Sequence, residues 1–384
     1  MTPISILMVL RTKNLSNDDR VKKEIRSLQN AGCRVDLFCA HDDSDKLQGF
    51  DNVRIKSVRL PWGAAPKGKG RQLLNLALFV LRWLCFFTFR RKKYALVWIH
   101  DPVLFPVIRL TRVFSTAKVT WDHHELPPQW FLSSKFFREL FRKAYIQTDL
   151  IVHANAERSK FLETAIHAQA RDSLILKNYP SSNTLRLIDT LEEPLESWTK
   201  ERRYVYLQNS LDFARCGIEV FSALKQLGLS AVHVGPINKT AIEKVTQAVG
   251  PEYISRHVFL AGTRRAAEIN LLLKRSALTM VFYRNTSANQ LYCEPNRLYQ
   301  ALKNGVPVLT GNNPTLRSVI AETDGGMWIE TDGSNIESII SGAGRLLERL
   351  AYYREQATTL VECFKWEDYD QTLRQKILEL SQSL

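Results

Sequence analysis

No C-x-x-C pair occurs among the six cysteines of this 384-residue chain, Cys33, Cys39, Cys85, Cys216, Cys293 and Cys363. Thiols scattered in that way argue against a zinc site or a disulfide framework, and for a reducing compartment. No G-x-G-x-x-G follows the first apolar strand, so a dinucleotide site there is unsupported. H-E-x-x-H and H-x-x-x-H are missing too, which removes the usual helical zinc pattern, and no metal is expected. No recognised nucleic-acid reader motif is present, so nucleic acid is not expected as a partner. The opening "MTPISILMVLRTKN" has no basic segment before its apolar run and no small-residue cleavage site. It reads as a first strand and not as a signal peptide. The longest apolar run, residues 73–89, is seventeen residues with Arg82 inside it. A bilayer span wants about 20.

What is present is ordinary for a globular chain: 45% hydrophobic and 24% charged residues. The length suits two domains of roughly 180 residues each. The net charge of +14 is unevenly placed: residues 1–180 hold 30 Lys and Arg against 16 Asp and Glu, while the rest balances at 23 of each. The first half therefore suggests an anionic partner, such as a membrane surface or a lipid pyrophosphate. Two stretches there combine aromatics with positive charge. "LLNLALFVLRWLCFFTF", between "KGKGR" and "RRKK", reads as a core helix or as a segment dipping into anionic lipid, and partial membrane contact is favoured. "WFLSSKFFRELFRKAYI" sets Lys135, Arg138, Arg142 and Lys143 on one helical face, with Phe137, Leu140, Phe141 and Ala144 on another.

Strand, polar loop, helix and strand alternate along both halves. "ISILMVL", the helix in "DRVKKEIRSLQNAG" and "CRVDLFCA" open a Rossmann-like unit. Asp18 and Asp19 suit a helix cap, and "HDDSD" at 41–45 suits a solvated turn. "YALVWIHDP" and "AKVTWDHHELPPQ" are apolar strands that end in titratable residues: His100 and Asp101, then Asp122, His123, His124 and Glu125. Ligands bind outside the carboxyl ends of such strands, so the two tips are expected to share one crevice. A histidine there can orient or deprotonate a hydroxyl, or can simply hydrogen-bond at a strand end. The polar stretch after "LILKNYP" reads as a linker, with a hinge near 181–200. Beyond it "RYVYLQ", "SAVHVGP", "HVFLAG", "ALTMVFY", "GVPVLTG" and "GGMWIE" predict a second parallel sheet covered on both sides.

Residues 291–311, "LYCEPNRLYQALKNGVPVLTG", carry the most information. Pro295 suits a first helical turn, Leu298, Ala301 and Leu302 give an apolar face, and Gly305 suits a left-handed cap before a buried strand. A helix start at Glu294, Pro295 and Asn296 turns free N–H groups toward whatever stands before it, a ready place for a phosphate. With "ALTMVFY" upstream, this stretch resembles the nucleotide-sugar half of retaining GT-B glycosyltransferases, above all the family-four group of bacterial polysaccharide and lipopolysaccharide enzymes, where a motif like PNKLFEYLAAGLPVV stands here. The resemblance runs over nearly the whole chain, but this motif alone is specific.

The resemblance implies an α/β, GT-B architecture: two Rossmann-like domains facing across a cleft, residues 1–185 and 186–365, with a helix from 366–384 crossing back to the first. It implies no cofactor, a nucleotide-diphosphate sugar as donor, and a glycan or lipid-linked acceptor at the inner face of the plasma membrane in the cytoplasm. On the acceptor side Asp19 and Arg20 match a recurring feature of the family, and the shared strand-end crevice adds His100 and His123. The catalytic candidates are His124, which falls on the family's acceptor-side histidine, Asp122 and Asp101 from the same crevice, and Glu294, two positions after the family's first glutamate. The donor candidates are Arg215, Arg264, Arg284, Pro295, Asn296, Arg297 and Gln300. The sequence departs from the pattern twice. Cys216 in "FARCGIE" stands where a second basic residue is usual, and the family's two glutamates with seven residues between them fall on Tyr292 and Gln300. Gln300 can bond ribose hydroxyls, without the strength of a charged acceptor. A nucleotide-sugar epimerase of the same fold, or a degenerate homologue that binds without turnover, are the alternatives.

Overall fold

The computed structural model describes residues 3–42, 50, 52–64, 66, 68–182 and 188–382. They form two units, Met1–Lys177 with Glu367–Leu384, and Asn178–Trp366.

The first unit is built on seven parallel strands: β1 (Ser5–Arg11), β2 (Arg34–Ala40), β3 (Arg54–Ser57), β4 (Leu96–His100), β5 (Lys118–His123), β6 (Leu150–His153) and β7 (Ser173–Ile175), in the order β3-β2-β1-β4-β5-β6-β7. A parallel sheet is covered on both faces, so its strands must be apolar throughout. β1 meets that demand, with Ile6, Leu7, Met8, Val9 and Leu10 all essentially inaccessible. Each such burial contributes about 1.5–3 kcal/mol. Chain order reverses between β1 and β4, which makes their carboxyl ends the natural ligand crevice. Right-handed crossovers put the helix Asp19–Asn30 on one face and the helices Lys69–Thr88, Phe105–Phe114 and Lys135–Gln147 on the other. Asp18 caps the first of these helices by accepting from the Val21 N–H.

The second unit has six parallel strands: β8 (Tyr204–Gln208), β9 (Ser230–Val234), β10 (Val258–Gly262), β11 (Leu278–Val281), β12 (Val308–Thr310) and β13 (Gly326–Trp328), ordered β10-β9-β8-β11-β12-β13. Alternation along β8 sends Val205 and Leu207 into one core and Tyr204 and Tyr206 into the other. The order reverses between β8 and β11. The helix Asn296–Lys303 lies on the tyrosine side and ends at Asn304, with Gly305 at φ +68 as a left-handed cap before β12.

Two sequence expectations change. β3 is a strand that the sequence does not mark, because it is a short, charged edge strand with no fully buried residue. The segment near 181–200 is no free linker: Leu191 and Leu195 lie in the second unit's core, and Glu196 pairs with Arg275 at 2.7 Å. Of that stretch residues 183–187 lie outside the described residues, as do 43–45 of the turn at 41–45. The chain passes to the second unit at Asn178, since the Tyr179 ring packs on Tyr299 (4.6 Å) and Phe364 (5.3 Å).

The helix Asp370–Gln382 belongs to the first unit, where Leu373 and Ile377 are buried and the Asp370 carboxylate accepts from Ser27 on the helix Asp19–Asn30. Leu373→Ala is expected to cost about 2–5 kcal/mol. Hydrogen exchange should then quicken across residues 5–177 and stay unchanged across 204–350. Equal acceleration in both would refute this assignment of the helix.

Candidate active site

The first unit's site grows from two residues in register. His100 ends β4 opposite Asp122 on β5, so both side chains leave the sheet on the same face. The helix Asp19–Asn30 covers that face and brings Arg20 and Glu24, one turn apart. All four are buried. Arg20 donates to both Asp122 oxygens, Nη2 to Oδ1 at 2.7 Å and Nε to Oδ2 at 2.9 Å, and to the Leu176 carbonyl at 2.9 Å. Asp122 Oδ2 also lies 3.2 Å from Nδ1 of both His100 and His124. Burial alone would push the Asp122 carboxyl up, but Arg20 and the two histidines hold it well below the usual range. Glu24 shares the same guanidinium at 3.0 Å; burial and the Asp122 charge push it up to about 7.

His124 is the member of this cluster that reaches the surface, its side chain 34% exposed. Burial favours its neutral form, yet the hydrogen bond and charge of Asp122 outweigh that and raise it to about 9. Of the two roles open to it, orienting or deprotonating a hydroxyl, this shift favours the first, since the protonated ring donates. The ligand atoms of His100, Asp122 and His124 lie within 4.8 Å of one another. A cation there would meet Arg20 in bidentate contact and an Oδ2 already facing three donors.

Other expected residues fall elsewhere. His123 alternates to the opposite face, 1% exposed among Trp121 (4.2 Å), His153 (5.5 Å) and Phe141 (5.7 Å), and burial keeps it neutral. It is a core histidine and not an acceptor-side group. Asp19, itself exposed, pairs with the buried Lys23 at 2.8 Å. Arg20 is fully engaged and positions Asp122 instead of meeting a ligand. Asp101, at φ +78, is held by Arg11 at 2.9 Å and caps the next turn through the Val103 N–H. Its carboxylate is occupied in shaping the strand end. Glu24 and Arg11 were missed; the spacing of Arg20 and Glu24, four apart beside Val21, Ile25 and Leu28, was the available signal.

The second unit presents the opposite charge problem. Arg297, the second residue of the helix Asn296–Lys303, is 8% exposed and reaches the ends of β8 and β11. It donates to the Gln208 carbonyl, to Ser210 Oγ (3.3 Å) and to the Phe282 carbonyl (3.5 Å), and lies 5.0 Å over the Tyr283 ring. Arg215 approaches the same ring at 5.7 Å and donates to the Asn209 carbonyl at 2.6 Å. Among the described residues no carboxylate pairs with either guanidinium. Burial pushes Arg297 down, and His233, whose Nε2 accepts from the Ser210 N–H, is lowered to about 4 by burial and by these two cations. Gly217 lets the loop close: a Cβ there would stand 2.4 Å from the Leu211 carbonyl oxygen.

Pro295 is the cap residue before this helix, and Asn296 its first residue. Arg284 is not available to a donor, because Glu219 holds it at 2.6 Å and Phe213 stacks on it at 4.1 Å. Arg264 is tied to the Ala261 carbonyl (2.8 Å) and Glu268 (3.5 Å). Glu294 accepts from the buried Tyr299 hydroxyl, which turns this expected catalytic carboxylate inward. Cys216 is inaccessible, and burial raises its thiol to about 12. Gln300 donates through Nε2 to Asn270 Oδ1 at 3.2 Å, and Asn304 donates to the same oxygen at 3.2 Å.

No protein-family model matches the chain, and no curated protein matches it. Solved structures do. Sucrose-phosphate synthase from Thermosynechococcus elongatus superposes with a TM-score of 0.76 at 13% identity, covering 99% of this chain and all (100%) of that one. HepE from Anabaena, in complex with UDP-glucose, gives 0.72 at 13% identity, with 99% and 100% covered. The α,α-trehalose 6-phosphate synthase of Burkholderia multivorans gives 0.69 at 12%, with 100% and 98% covered. At such identity the likeness establishes the fold, and the fold is GT-B over the whole chain.

Two expectations follow. A histidine raised above its ordinary value contributes stability that is fully present below about pH 6.5 and lost as pH rises through its folded value of about 9. The thermal midpoint of the wild type should fall between those limits relative to His124→Gln; parallel curves would show His124 to be uncharged. Gln300→Glu sets a carboxylate oxygen against Asn270 Oδ1, and should cost about 1–3 kcal/mol in urea unfolding. A stabilised variant would mean that this amide is not oriented by Asn270.

Proposed function

We propose that the chain is a glycosyltransferase, similar to the family-four group, that moves a sugar from a nucleoside-diphosphate sugar to a hydroxyl of a glycan or lipid-linked acceptor in bacterial surface polysaccharide synthesis. The observation that carries this reading is the pair Arg215 and Arg297, which converge on Tyr283 where chain order reverses between β8 and β11 and meet no carboxylate among the described residues. A cation buried without an anion costs several kcal/mol, which a bound anion offsets. A diphosphate at the mouth of the helix Asn296–Lys303 supplies that charge, with the helix N–H groups as further donors. UDP-glucose in the Anabaena structure is a donor of this class.

In the step proposed, the bond between the anomeric carbon and the phosphate oxygen breaks and a bond from that carbon to the acceptor oxygen forms. The diphosphate leaves with the electron pair, stabilised by Arg215 and Arg297. The acceptor's proton passes to the departing phosphate oxygen; His124, raised by Asp122, serves the first unit as a hydrogen-bond donor that orients a hydroxyl of its bound sugar. The residues at hand supply the positive charge that the leaving group needs without a bound metal. Retention of configuration rests on the resemblance. On this reading transfer takes place in the cytoplasm, at the inner face of the membrane.

A panel of nucleoside-diphosphate sugars, read out by nucleoside diphosphate release with a membrane fraction as acceptor source, tests this. Calorimetry should show UDP or another nucleoside diphosphate binding, weakened about 10–100-fold in Arg215→Ala, the loss of one charged hydrogen bond. His124→Ala should abolish transfer with donor affinity kept. Product from nucleotide sugar alone would indicate an epimerase. Binding without transfer to any fraction would indicate a non-catalytic homologue, and absence of nucleotide binding would overturn the reading.

A further inference from the structure

The helix Lys69–Thr88 is apolar on two sides, and only one of them is used. Leu76, Phe79, Trp83 and Phe87 are buried against the sheet, with Phe79 5.4 Å from the Phe38 ring of β2. On the outward side Leu74 and Leu81 are 56% and 57% exposed, and Phe89, just past the helix end, is 86% exposed. At 20 residues the helix is long and apolar enough to cross a membrane, and 28% of its most apolar 18-residue window is buried. It cannot leave the sheet to do so without uncovering Phe79, Trp83 and Phe87, each inaccessible here. A helix tied down along one side and greasy on the other lies along an interface, not across it.

Beside its second half runs a groove of about 660 Å³, closed on the other side by β3 and the residues after it. Lys56, Arg59, Arg82 and Arg90 line it together with Leu81 and Phe86. Arg82 donates to the Arg59 carbonyl, and the Arg90 guanidinium stacks 4.7 Å over Phe86. Among the described residues no carboxylate pairs with any of these four cations. Four like charges held together without a counter-ion repel one another, and an anion entering the groove relieves that repulsion. Arg91 and Lys92 follow on the exposed turn after the helix.

We propose that this groove takes the phosphate headgroup of an anionic phospholipid while Leu74, Leu81 and Phe89 enter the acyl boundary, so that the first unit docks on an anionic leaflet. Charge complementarity alone would admit a nucleic acid or free phosphate. The exposed apolar ridge next to the cations is satisfied by neither, and a phospholipid meets both demands at once. The inference stands on the first unit alone and does not depend on sugar transfer.

Sedimentation of the full chain with vesicles tests it. Vesicles of phosphatidylcholine with 30% phosphatidylglycerol, roughly the anionic density at which such attraction operates, should bind the protein, and pure phosphatidylcholine should not. Each charge removed in Arg59→Gln and Arg90→Gln should weaken binding about fivefold, from about 1 kcal/mol per basic residue. Arg59→Lys and Arg90→Lys should keep it. Leu74→Ser with Leu81→Ser, at exposed positions, should abolish binding with the thermal transition unchanged. Equal binding to both vesicle types, binding unaffected by the glutamine or serine variants, displacement by inorganic phosphate at constant ionic strength, or equal binding to duplex DNA would each overturn the proposal.

Discussion

A carboxylate with no exposed surface has to be neutralised where it stands, and Asp122 sets the terms for much of the first unit. Its charge is answered by Arg20 from the helix Asp19–Asn30 and by two histidines at strand ends, which ties three elements to one point. The same carboxylate decides the state of everything near it. It pushes Glu24 toward protonation, because one guanidinium serves two buried acids, and it pulls His124 the other way, into the cation. Arg20 and Glu24 are therefore not spare polar groups. Arg20 keeps Asp122 ionised, and Asp122 sets the protonation of the one ring in the cluster that reaches solvent.

The second unit solves no comparable problem internally. Arg297 is as buried as Arg20, but its partners are carbonyls, a serine hydroxyl and an aromatic face. Carbonyl dipoles soften the burial of a guanidinium without cancelling its charge. Nearby groups respond accordingly: His233 is forced neutral, and Arg284, which does have Glu219, is excluded from the set. One unit thus holds a saturated cation and the other an unsaturated one. Only the unsaturated cation has charge left to offer a ligand, which is why the donor reading rests on Arg215 and Arg297 and not on the count of arginines.

The fold was largely legible because parallel strands buried on both faces must be written as unbroken apolar runs. "ISILMVL", "YALVWIH" and "ALTMVFY" are strands close to where the sequence places them. β3 escaped, since an edge strand may keep charges and carries little pattern. Site residues were legible by position and not by role. Strand-end logic brought His100, Asp122 and His124 together. It could not say which side of the strand His123 would take, although period-two alternation next to the inward-facing Asp122 already implied the opposite face. Nor does sequence reveal that Arg264 and Arg284 have acidic partners, because Glu268 and Glu219 become neighbours only once helices start where they do. Glu294 was misjudged for a related reason: Tyr299, one turn along, is turned inward and draws the carboxylate with it.

The helix Lys69–Thr88 shows where pattern reading stops. Apolar nearly all round but for Arg71, Asn75 and Arg82, it satisfies equally the sequence rules for a core helix and for a membrane segment. The deciding quantity is which residues the sheet has already claimed. Phe79, Trp83 and Phe87 lie along one buried line of the helix, Phe79 against Phe38 of β2 and Trp83 stacked on Phe87, and uncovering three aromatic side chains costs about 1.5–3 kcal/mol for each. No gain from lipid recovers that, because those rings are already out of water. The remaining line of leucines has made no such commitment, so the same residues that look redundant for folding are the ones left to interact with a surface.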